Sequence, residues 1–345
     1  YRAEGVKIKK TNQINFLNLK NLPYLKIDYK NKEINFNQER IIINKKLIIP
    51  EGFIVNFSQG TEIILSDLGQ IISYSPINMI GTKDNPIIFR SNFQGSVREY
   101  RNYFKDDSRN YGYGLSVINA KSKSHIEHTV FKRLAAPSLN TGEGFLGAIN
   151  FYRSDVNIEN SEFYENLRGD DYLNIISSNF LIKYVKMQNI NYDAIDFDFS
   201  NGSIEDISII DTNNDALDFS GSKVEAINIF IDNVRDKGIS AGEESTIDIK
   251  NIKLNNANIA VASKDLSKLN IKGIEIINSN IAVAAFQKKP EFGPGYIVIE
   301  DIIIKDTLKK YVSEQNSVIK INNKNIEASD NSSIEFLSKF LKWKI

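Results

Sequence analysis

Apolar and polar residues alternate in short runs along the middle of this chain, and the runs return at an almost constant spacing. Units headed by an acidic or amide residue begin at positions 171, 193, 215, 236, 258 and 280, so the successive steps are 22, 22, 21, 22 and 22 residues. Such a unit is too short for a pair of helices, and its runs are rich in Ile, Val, Leu and Phe. The pattern predicts an all-β fold, a parallel β-solenoid in which each unit is one coil.

The repeat also predicts which side chains share a face of each coil. Because alternate strand residues point to the same side, the second and fourth positions after each head are expected to face inward. Stacked coils lie about 4.8 Å apart, so a residue type that returns at one position becomes a column. The inward series changes from Leu, Ile and Phe to Gly, Ser and Ala, which indicates a narrowing solenoid or a bulky neighbour that fills the space. Its members are Leu173, Ile175, Ile195, Phe197, Leu217, Phe219, Gly238, Ser240, Ala260, Ala262, Ala282 and Ala284.

The alternation extends beyond the central repeat and divides the chain into three regions. Residues 1–40 are rich in Lys and Asn and are expected to form an N-terminal lead-in or cap. Residues 41–325 are expected to form the β-helix as one elongated domain. Residues 326–345 have apolar side chains near helical spacing and predict a C-terminal capping helix, with a membrane-surface or partner helix as the alternative. The early coils predict five inward residues, Ile63, Leu65, Ile71, Ile87 and Phe89.

Three polar insertions interrupt the coils, at residues 94–113, 134–147 and 287–295. Loops that leave a rigid scaffold often form its binding surface. The first insertion is rich in aromatic and basic side chains, which suit stacking against sugar rings and contact with acidic groups. Its candidate substrate-binding residues are Arg101, Tyr103, Arg109 and Tyr111.

The overall charge excludes some classes of function. Lys plus Arg and Asp plus Glu number 43 each, so a general electrostatic binder of nucleic acid or membrane is not expected. The absence of cysteine excludes disulfides, thiolate nucleophiles and cysteine-based metal sites. No apolar run of about 18 residues predicts a transmembrane helix. The chain begins at Tyr1 without Met, which suggests a processed protein or a piece of a longer one.

Candidate chemistry lies on the outward face of the middle coils. Asp196 and Asp218 each stand three residues after a head, so their carboxylates should lie about 5 Å apart, with Asp198 further along the same strand. Two adjacent carboxylates must share a proton, bind a divalent metal such as Ca²⁺, or pair with lysines. Each outcome suits polysaccharide chemistry. A carboxyl with a raised pKa can act as a general acid, a close carboxyl pair suits a glycoside hydrolase, and a bound metal can neutralise the carboxylate of a uronate.

Lysines and further acids follow on the same strip. Lys237 and Lys264 are candidate catalytic bases, as is Lys288, because a lysine among apolar and cationic neighbours can titrate low. Further candidates for substrate binding are Glu243, Asp265, Lys288 and Lys289. A salt-bridged surface that keeps the coils in register is the alternative interpretation. The head residues Asp171, Asp193, Asp215, Asp236, Asn258 and Asn280 are expected to hydrogen-bond the backbone of their own turns.

The phrases GAINFYRSDV, DYLNIISSNF, YDAIDFDFSNG, NDALDFSGS, DKGISAGEES, IAVASKDLS and AAFQKKPEFGPG resemble the right-handed, single-stranded β-helix region attached to CotH-type (spore-coat protein H-like) kinase proteins of bacteria. The resemblance covers about residues 40–325 and implies a kinase-like domain in the same full-length chain. No kinase motif is present, so kinase activity is not carried over. The fold is similar to that of pectin-lyase-like proteins, and Asp196, Asp198 and Asp218 resemble the aspartate layout of polygalacturonases. The Gly-His-Gly and Arg-Ile-Lys phrases of polygalacturonases are missing.

These observations lead to two hypotheses. In the first, a secreted, cell-surface or periplasmic enzyme acts on an acidic bacterial or environmental polysaccharide as a lyase or glycoside hydrolase, without a required cofactor or with Ca²⁺ at Asp196 and Asp218. In the second, the chain is a non-catalytic glycan-binding, protein-binding or structural module that accompanies a CotH-type kinase domain.

Overall fold

The computed structural model describes residues 19–95, 112–137 and 144–327. These residues form β-strands joined by turns and loops, arranged as a parallel β-solenoid of about 12 turns, which confirms the predicted fold class. The chain forms two compact units, Tyr1–Asn174 and Ile175–Ile345. No helix in the described ranges is long and apolar enough to cross a membrane. The predicted capping helix lies outside the described residues, apart from its first two positions.

The first unit contains strands β1 to β15 and the beginning of β16 within its described ranges. The strands are β1 (Leu25–Asp28), β2 (Glu33–Phe36), β3 (Arg40–Ile43), β4 (Lys46–Ile49), β5 (Ile54–Phe57), β6 (Glu62–Leu65), β7 (Gln70–Ser73), β8 (Ile77–Ile80), β9 (Ile87–Ser91), β10 (Leu115–Ile118), β11 (Ser124–Glu127), β12 (Thr129–Lys132), β13 (Gly147–Tyr152), β14 (Val156–Glu159), β15 (Glu162–Tyr164) and β16 (Asp171–Ile176).

Each coil of the first unit contributes strands to three parallel ladders. The ladders run β2, β5, β8, β11, β14, then β3, β6, β9, β12, β15, and then β4, β7, β10, β13. Strand β1 pairs antiparallel with β2. The five residues predicted to face inward here, Ile63, Leu65, Ile71, Ile87 and Phe89, are all 0% exposed, which confirms that prediction.

Two of the predicted insertions leave the first unit at the same corner of successive coils. One connects β9 to β10 and the other connects β12 to β13. The described ends of these connections pack together, since Phe93, Tyr113, Ala135 and Leu167 form one buried cluster. Residues 96–111 and 138–143 lie outside the described ranges, and with them the candidates Arg101, Tyr103, Arg109 and Tyr111.

The second unit has longer strands, because neighbouring strands of a coil merge into one. They are β17 (Asn179–Ile190), β18 (Asp193–Asp198), β19 (Asn201–Thr212), β20 (Leu217–Ser220), β21 (Lys223–Gly242), β22 (Thr246–Lys264), β23 (Lys268–Ile277), β24 (Ile281–Phe286), β25 (Tyr296–Lys305), β26 (Lys309–Ser313), β27 (Val318–Ile321) and β28 (Lys324–Ile326). One parallel ladder runs β17, β19, β21, β22, β23, β25, β27, and a second runs β18, β20, β21, β22, β24, β26. Strand β28 pairs antiparallel with β27.

The long strands turn their corners at residues with left-handed backbone conformation, which Asp and Asn adopt at low cost. Asp206, Asn228 and Asn251 have φ values of 53°, 58° and 57° and form what we call the corner ladder. The Asn228 Nδ2 donates to Asp206 Oδ1 over 3.0 Å, and the Asn251 Nδ2 donates to Asn228 Oδ1 over 3.2 Å. Each corner therefore stabilises the next coil.

A second set of buried contacts joins the coils at the turn into each long strand. The backbone N–H of each serine donates to the Oγ of its counterpart one coil later, over 2.9 to 3.2 Å. Ser200 and Ser222 belong to this ladder and are buried. Its members are Ser178, Ser200, Ser222, Ser245 and Ser267.

The register of the fourth coil corrects the sequence alignment by one residue. Leu217 pairs with Ile239 and Asp218 pairs with Ser240, so Lys237, one residue after Asp236, is the counterpart of Asp215. By the sequence count, Ile239, Val261 and Val283 also stand three residues after a head, the position of Asp196 and Asp218, and are expected to face outward. This expectation is wrong, because they continue the inward column of Leu217 and are 0% exposed. Ser240, Ala262 and Ala284, predicted to face inward, instead continue the column of Asp218. The predicted change of the inward residues from large to small therefore came partly from counting the fourth and later coils one residue too early.

Candidate functional site

The heads of three successive coils stack at the start of the second ladder. The backbone N–H of Asp215 donates to Asp193 Oδ1 over 2.6 Å, and that of Lys237 donates to Asp215 Oδ1 over 2.9 Å. All three residues are buried. The carboxylates of Asp193 and Asp215 thus accept backbone N–H groups of the following coil, and this contact sets the one-residue correction in register.

Lys237 is the counter-ion of these buried acids. Its Nζ lies 2.9 Å from Asp215 Oδ1 and 2.5 Å from Asp236 Oδ2. Burial favours the neutral amine, but the two carboxylates outweigh it and raise the pKa of Lys237 well above its usual range. The expectation of a low-titrating base at this position is therefore not met.

Asp215 and Asp218 form a carboxyl pair with opposite pKa shifts. Burial, which outweighs the attraction of Lys237, raises the pKa of Asp215 to about 6. Burial also acts on Asp218, but the ammonium groups of Lys264 and Lys237 hold the pKa of Asp218 below its usual value. Carboxylate oxygens of Asp193, Asp215 and Asp218 lie within 4.8 Å of one another. Pairs whose pKa values diverge in this way can divide acid and base roles.

Two lysines complete the surface side of the site. Lys264 is buried, with its Nζ 3.7 Å from Asp218 Oδ1, and its chain crosses Gly242, where an added Cβ would lie 3.0 Å from Lys264 Cε. The Lys288 side chain reaches the surface. The nearby charge of Lys264 is the main cause of the lowered pKa of Lys288, and desolvation of the amine by its neighbours is the second cause. We call these residues the acid–lysine cluster, whose members are Asp193, Asp215, Asp218, Asp236, Lys237, Lys264 and Lys288.

The remaining predicted site residues take different positions. Asp196 pairs with Asp218, as the column count predicts, and Asp198 pairs with Ser220. Glu243 forms an ion pair with Lys289. Asp265 is only 1% exposed, so its carboxylate does not face a ligand at the surface as predicted.

The sequence did not identify Asp193, Asp215 and Asp236 as part of the site, because they were interpreted as turn-capping heads. The 21-residue step at position 236 was the available signal, since it marks the coil in which a lysine takes the place of an acid.

The three neighbouring carboxylates of Asp193, Asp215 and Asp218 have the oxygen chemistry that Ca²⁺ prefers. However, Lys237 already contacts Asp215 and Lys264 lies beside Asp218. A cation would have to displace these ammonium groups, so the donor set fits its own lysines better than Ca²⁺. The predicted Ca²⁺ at Asp196 and Asp218 stays a prediction.

The stability of the protein should depend on pH through Asp215. Its pKa is 3.8 ordinarily and about 6 in the folded chain, so the folded state binds more protons between these values. The contribution of Asp215 to the free energy of unfolding is therefore present at low pH and declines as pH rises through this window, by about 3 kcal/mol at most.

Urea unfolding of the wild type and Asp215→Asn at several pH values measures this effect. The stability of the wild type relative to the variant should fall as pH rises. A relative stability that rises with pH, as for an ordinary salt-bridged aspartate, would contradict the assignment.

No protein-family model matches the chain, and no curated protein matches it. Among solved structures, the catalytic domain of a GH87 alpha-1,3-glucanase variant in complex with nigerose is similar, with a TM-score of 0.52 and 10% identity over 84% of this chain and 63% of that chain. A mutant of the periplasmic alginate epimerase AlgG is similar with a TM-score of 0.51 and 12% identity over 88% of this chain and 80% of that one. The chain thus spans less than two thirds of the glucanase domain. At these identities the likeness shows the fold alone, and that fold is a parallel β-helix.

Proposed function

We propose that this protein is a carbohydrate-active enzyme that removes a proton from a uronate residue of an acidic polysaccharide, as lyases and epimerases do. One observation carries the proposal. The exposed Lys288 lies within electrostatic reach of a second lysine, Lys264, whose Nζ is 3.7 Å from the carboxylate of Asp218. The charge of Lys264 lowers the pKa of Lys288, which favours the form of the amine that can accept a proton next to a substrate carboxylate.

Each group has a distinct role in the proposed reaction. The positive charge of Lys264 attracts the uronate carboxylate and stabilises the negative charge that develops when the C5 proton leaves. The neutral amine of Lys288 takes that proton and becomes an ammonium ion. In a lyase, the C5 electron pair then forms the C4–C5 double bond while the C4–oxygen bond breaks and the departing oxygen is protonated. In an epimerase, a proton from water enters C5 on the opposite face, and the Lys288 ammonium then releases its proton to solvent.

The carboxylates of Asp215, Asp218 and Asp236 contact the lysines of the site. Asp218 accepts the backbone N–H of Phe219 over 3.0 Å, and its Oδ1 lies 3.7 Å from the Nζ of Lys264. Lys237 stays charged and neutralises Asp215 and Asp236. Lys237 therefore serves the buried acids, and Lys264 is the cationic group that acts on Lys288.

Glycoside hydrolysis is the second candidate, favoured by the carboxyl pair Asp215 and Asp218. Their oxygens lie within 4.8 Å, burial raises the pKa of Asp215 to about 6, and nearby lysines lower the pKa of Asp218, so one carboxyl could act as acid while the other is ionised. Asp215 is only 3% exposed, however, which limits its access to a glycosidic oxygen. This burial places hydrolysis second.

The similar structures support a polysaccharide ligand, since one is named as an alpha-1,3-glucanase and the other as an alginate epimerase. A polysaccharide substrate, together with the periplasmic description of AlgG, leads us to propose a secreted, cell-surface or periplasmic location. The CotH resemblance leads us to propose a kinase-like domain elsewhere in the full-length chain.

Incubation with a panel of polyuronates and neutral glucans tests the function. We expect the ultraviolet absorbance of unsaturated uronate to rise, or deuterium from D₂O to enter C5, on polyuronates and not on neutral glucans. New reducing ends without new absorbance would show hydrolysis instead. Binding on a glycan array without turnover on any substrate would show a binding module and overturn the proposal.

A further inference from the structure

The insertion between β24 and β25, residues 287–295, is tied to the turn that follows β22. Asp265, in that turn, accepts the backbone N–H groups of Lys288 and Lys289 on its Oδ1, over 2.6 and 2.8 Å. The carboxylate is buried, and the Asp265 backbone carbonyl accepts the N–H of Glu244 over 2.9 Å. One side chain of the neighbouring coil thus fixes two consecutive peptide groups of the insertion.

Further contacts keep the insertion in one conformation. The Gln287 Nε2 donates to the carbonyl of Phe292 over 2.7 Å, and the N–H of Gln287 donates to Glu314 Oε2 over 2.6 Å. The N–H of Leu266 donates to the carbonyl of Gly293 over 3.2 Å. Lys289 pairs with Glu243. The insertion is therefore a rigid support for the Lys288 side chain.

Electrostatics makes a restraint necessary at Lys288. The charged groups that act on its amine are Lys264 and Lys237, which repel it, and Asp218 and Asp215, which attract it. Repulsion from Lys264 is the strongest of these influences. An insertion without a tether would relieve the repulsion by moving outward. The charge-assisted bonds from Asp265 to two backbone N–H groups oppose that movement without neutralising the amine itself.

We propose that Asp265 is a positioning residue, which fixes the backbone of Lys288 so that its amine stays beside Lys264. This inference rests on the proposed function, in which Lys288 is the base, and adds the group that holds the base in place. It also replaces the predicted role of Asp265 in substrate binding, which its burial does not support.

The position of Lys288 can be followed without any substrate. Reductive ¹³C-methylation of the lysines and NMR titration report the pKa of Lys288, with Lys288→Arg used to assign the signal. In Asp265→Ala we expect this pKa to rise toward the ordinary lysine value, because the insertion moves away from Lys264 and Lys237. Loss of a negative charge alone would lower the pKa, so the direction separates movement from charge.

Asp265→Asn is the matched control. Its carboxamide oxygen can still accept both N–H groups, so we expect the pKa of Lys288 to stay low. If Asp265→Ala does not fold, Asp265→Glu, which displaces the acceptor oxygens by one methylene, takes its place in the same titration with the same expected rise. An unchanged or lower pKa of Lys288 in the displaced or truncated variant would overturn the proposal.

Kinetics give an independent readout. Asp265→Ala should lower kcat by about 100-fold with little change in KM, since small displacements of a reacting group have effects of this size. The double variant Asp265→Ala/Lys288→Ala should be no slower than Lys288→Ala, and additive losses would overturn the proposal. Inactivity of the wild type on every glycan would reject the proposed function, while the titration would still decide whether Asp265 positions Lys288.

Discussion

Replacing Lys288 with alanine is expected to lower kcat by about 10²- to 10⁴-fold, the range for loss of a general base. The free energy of unfolding should hardly change, because Lys288 is exposed and its amine is repelled by Lys264. Turnover of a polyuronate at saturating substrate, together with urea unfolding, measures both quantities. Lys272→Ala is the matched control, since this exposed lysine of β23 lies outside the acid–lysine cluster and the insertion and should keep the activity.

The pH dependence of the reaction extends this test. Lys288 acts as a base only when neutral, so kcat/KM should rise with pH through the pKa of Lys288. That rise should occur below the usual lysine range, because Lys264 lowers this pKa. Lys264→Met should move the rise to higher pH as well as weaken substrate binding. A Lys288→Ala enzyme that keeps its rate and its pH profile would remove Lys288 from the mechanism.

Replacing Lys237 with methionine is expected to lower the free energy of unfolding by about 3 to 5 kcal/mol at neutral pH, the usual effect of breaking a buried ion pair from one side. The change leaves Asp215 and Asp236 without the ammonium group that contacts both. Urea unfolding measures the loss. The loss should be smaller below the pKa of Asp215, about 6, because the protonated carboxyl needs no counter-ion.

Lys253→Met is the control for Lys237→Met. Lys253 also faces a carboxylate, Glu275, but its side chain is 51% exposed, and such pairs contribute about 1 kcal/mol or less. The double variant Lys237→Met/Asp215→Asn should recover part of the stability by removing the buried charge. Equal losses in the free energy of unfolding for Lys237→Met and Lys253→Met would show that the buried ion pair stabilises the fold no more than the exposed one.

The fold could be predicted from the sequence because each coil of a solenoid makes the same contacts as the coil before it, so the same residue types return at a constant spacing. Alternation within short runs was enough to place Ile63 and Phe89 inside, and a period near 22 was enough to pair Asp196 with Asp218. The corner ladder could have been predicted in the same way, since Asp206, Asn228 and Asn251 follow one another at about one coil length.

The register of the fourth coil could not be predicted by matching acid with acid. Asp236 and Lys237 are adjacent, and the choice between them depends on which backbone N–H meets the Asp215 carboxylate. That contact exists only in three dimensions. It changes the site, because it places Lys237 among the buried acids and Ser240 rather than Ile239 beside Asp218.

The lysines of the site look alike in the sequence and differ in their surroundings. Lys237 is buried between two carboxylates and has a raised pKa, whereas Lys288 is exposed near Lys264 and has a lowered one. Burial and the identity of the nearest charge decide these directions, and neither is encoded in spacing. Asp265 shows the same limit, since only the folded chain reveals that it binds backbone N–H groups.

The corner ladder has a consequence for how such a chain can evolve. Each ladder amide must meet its counterpart one coil earlier, so gaining or losing one residue within a strand would put Asn228 out of step with Asp206. An in-frame duplication or deletion of one whole coil keeps every partner in phase. We therefore expect homologous chains to differ in length mainly by complete coils or by changes within the insertions, with single-residue changes confined to turns and bulges such as the one between Val234 and Lys237.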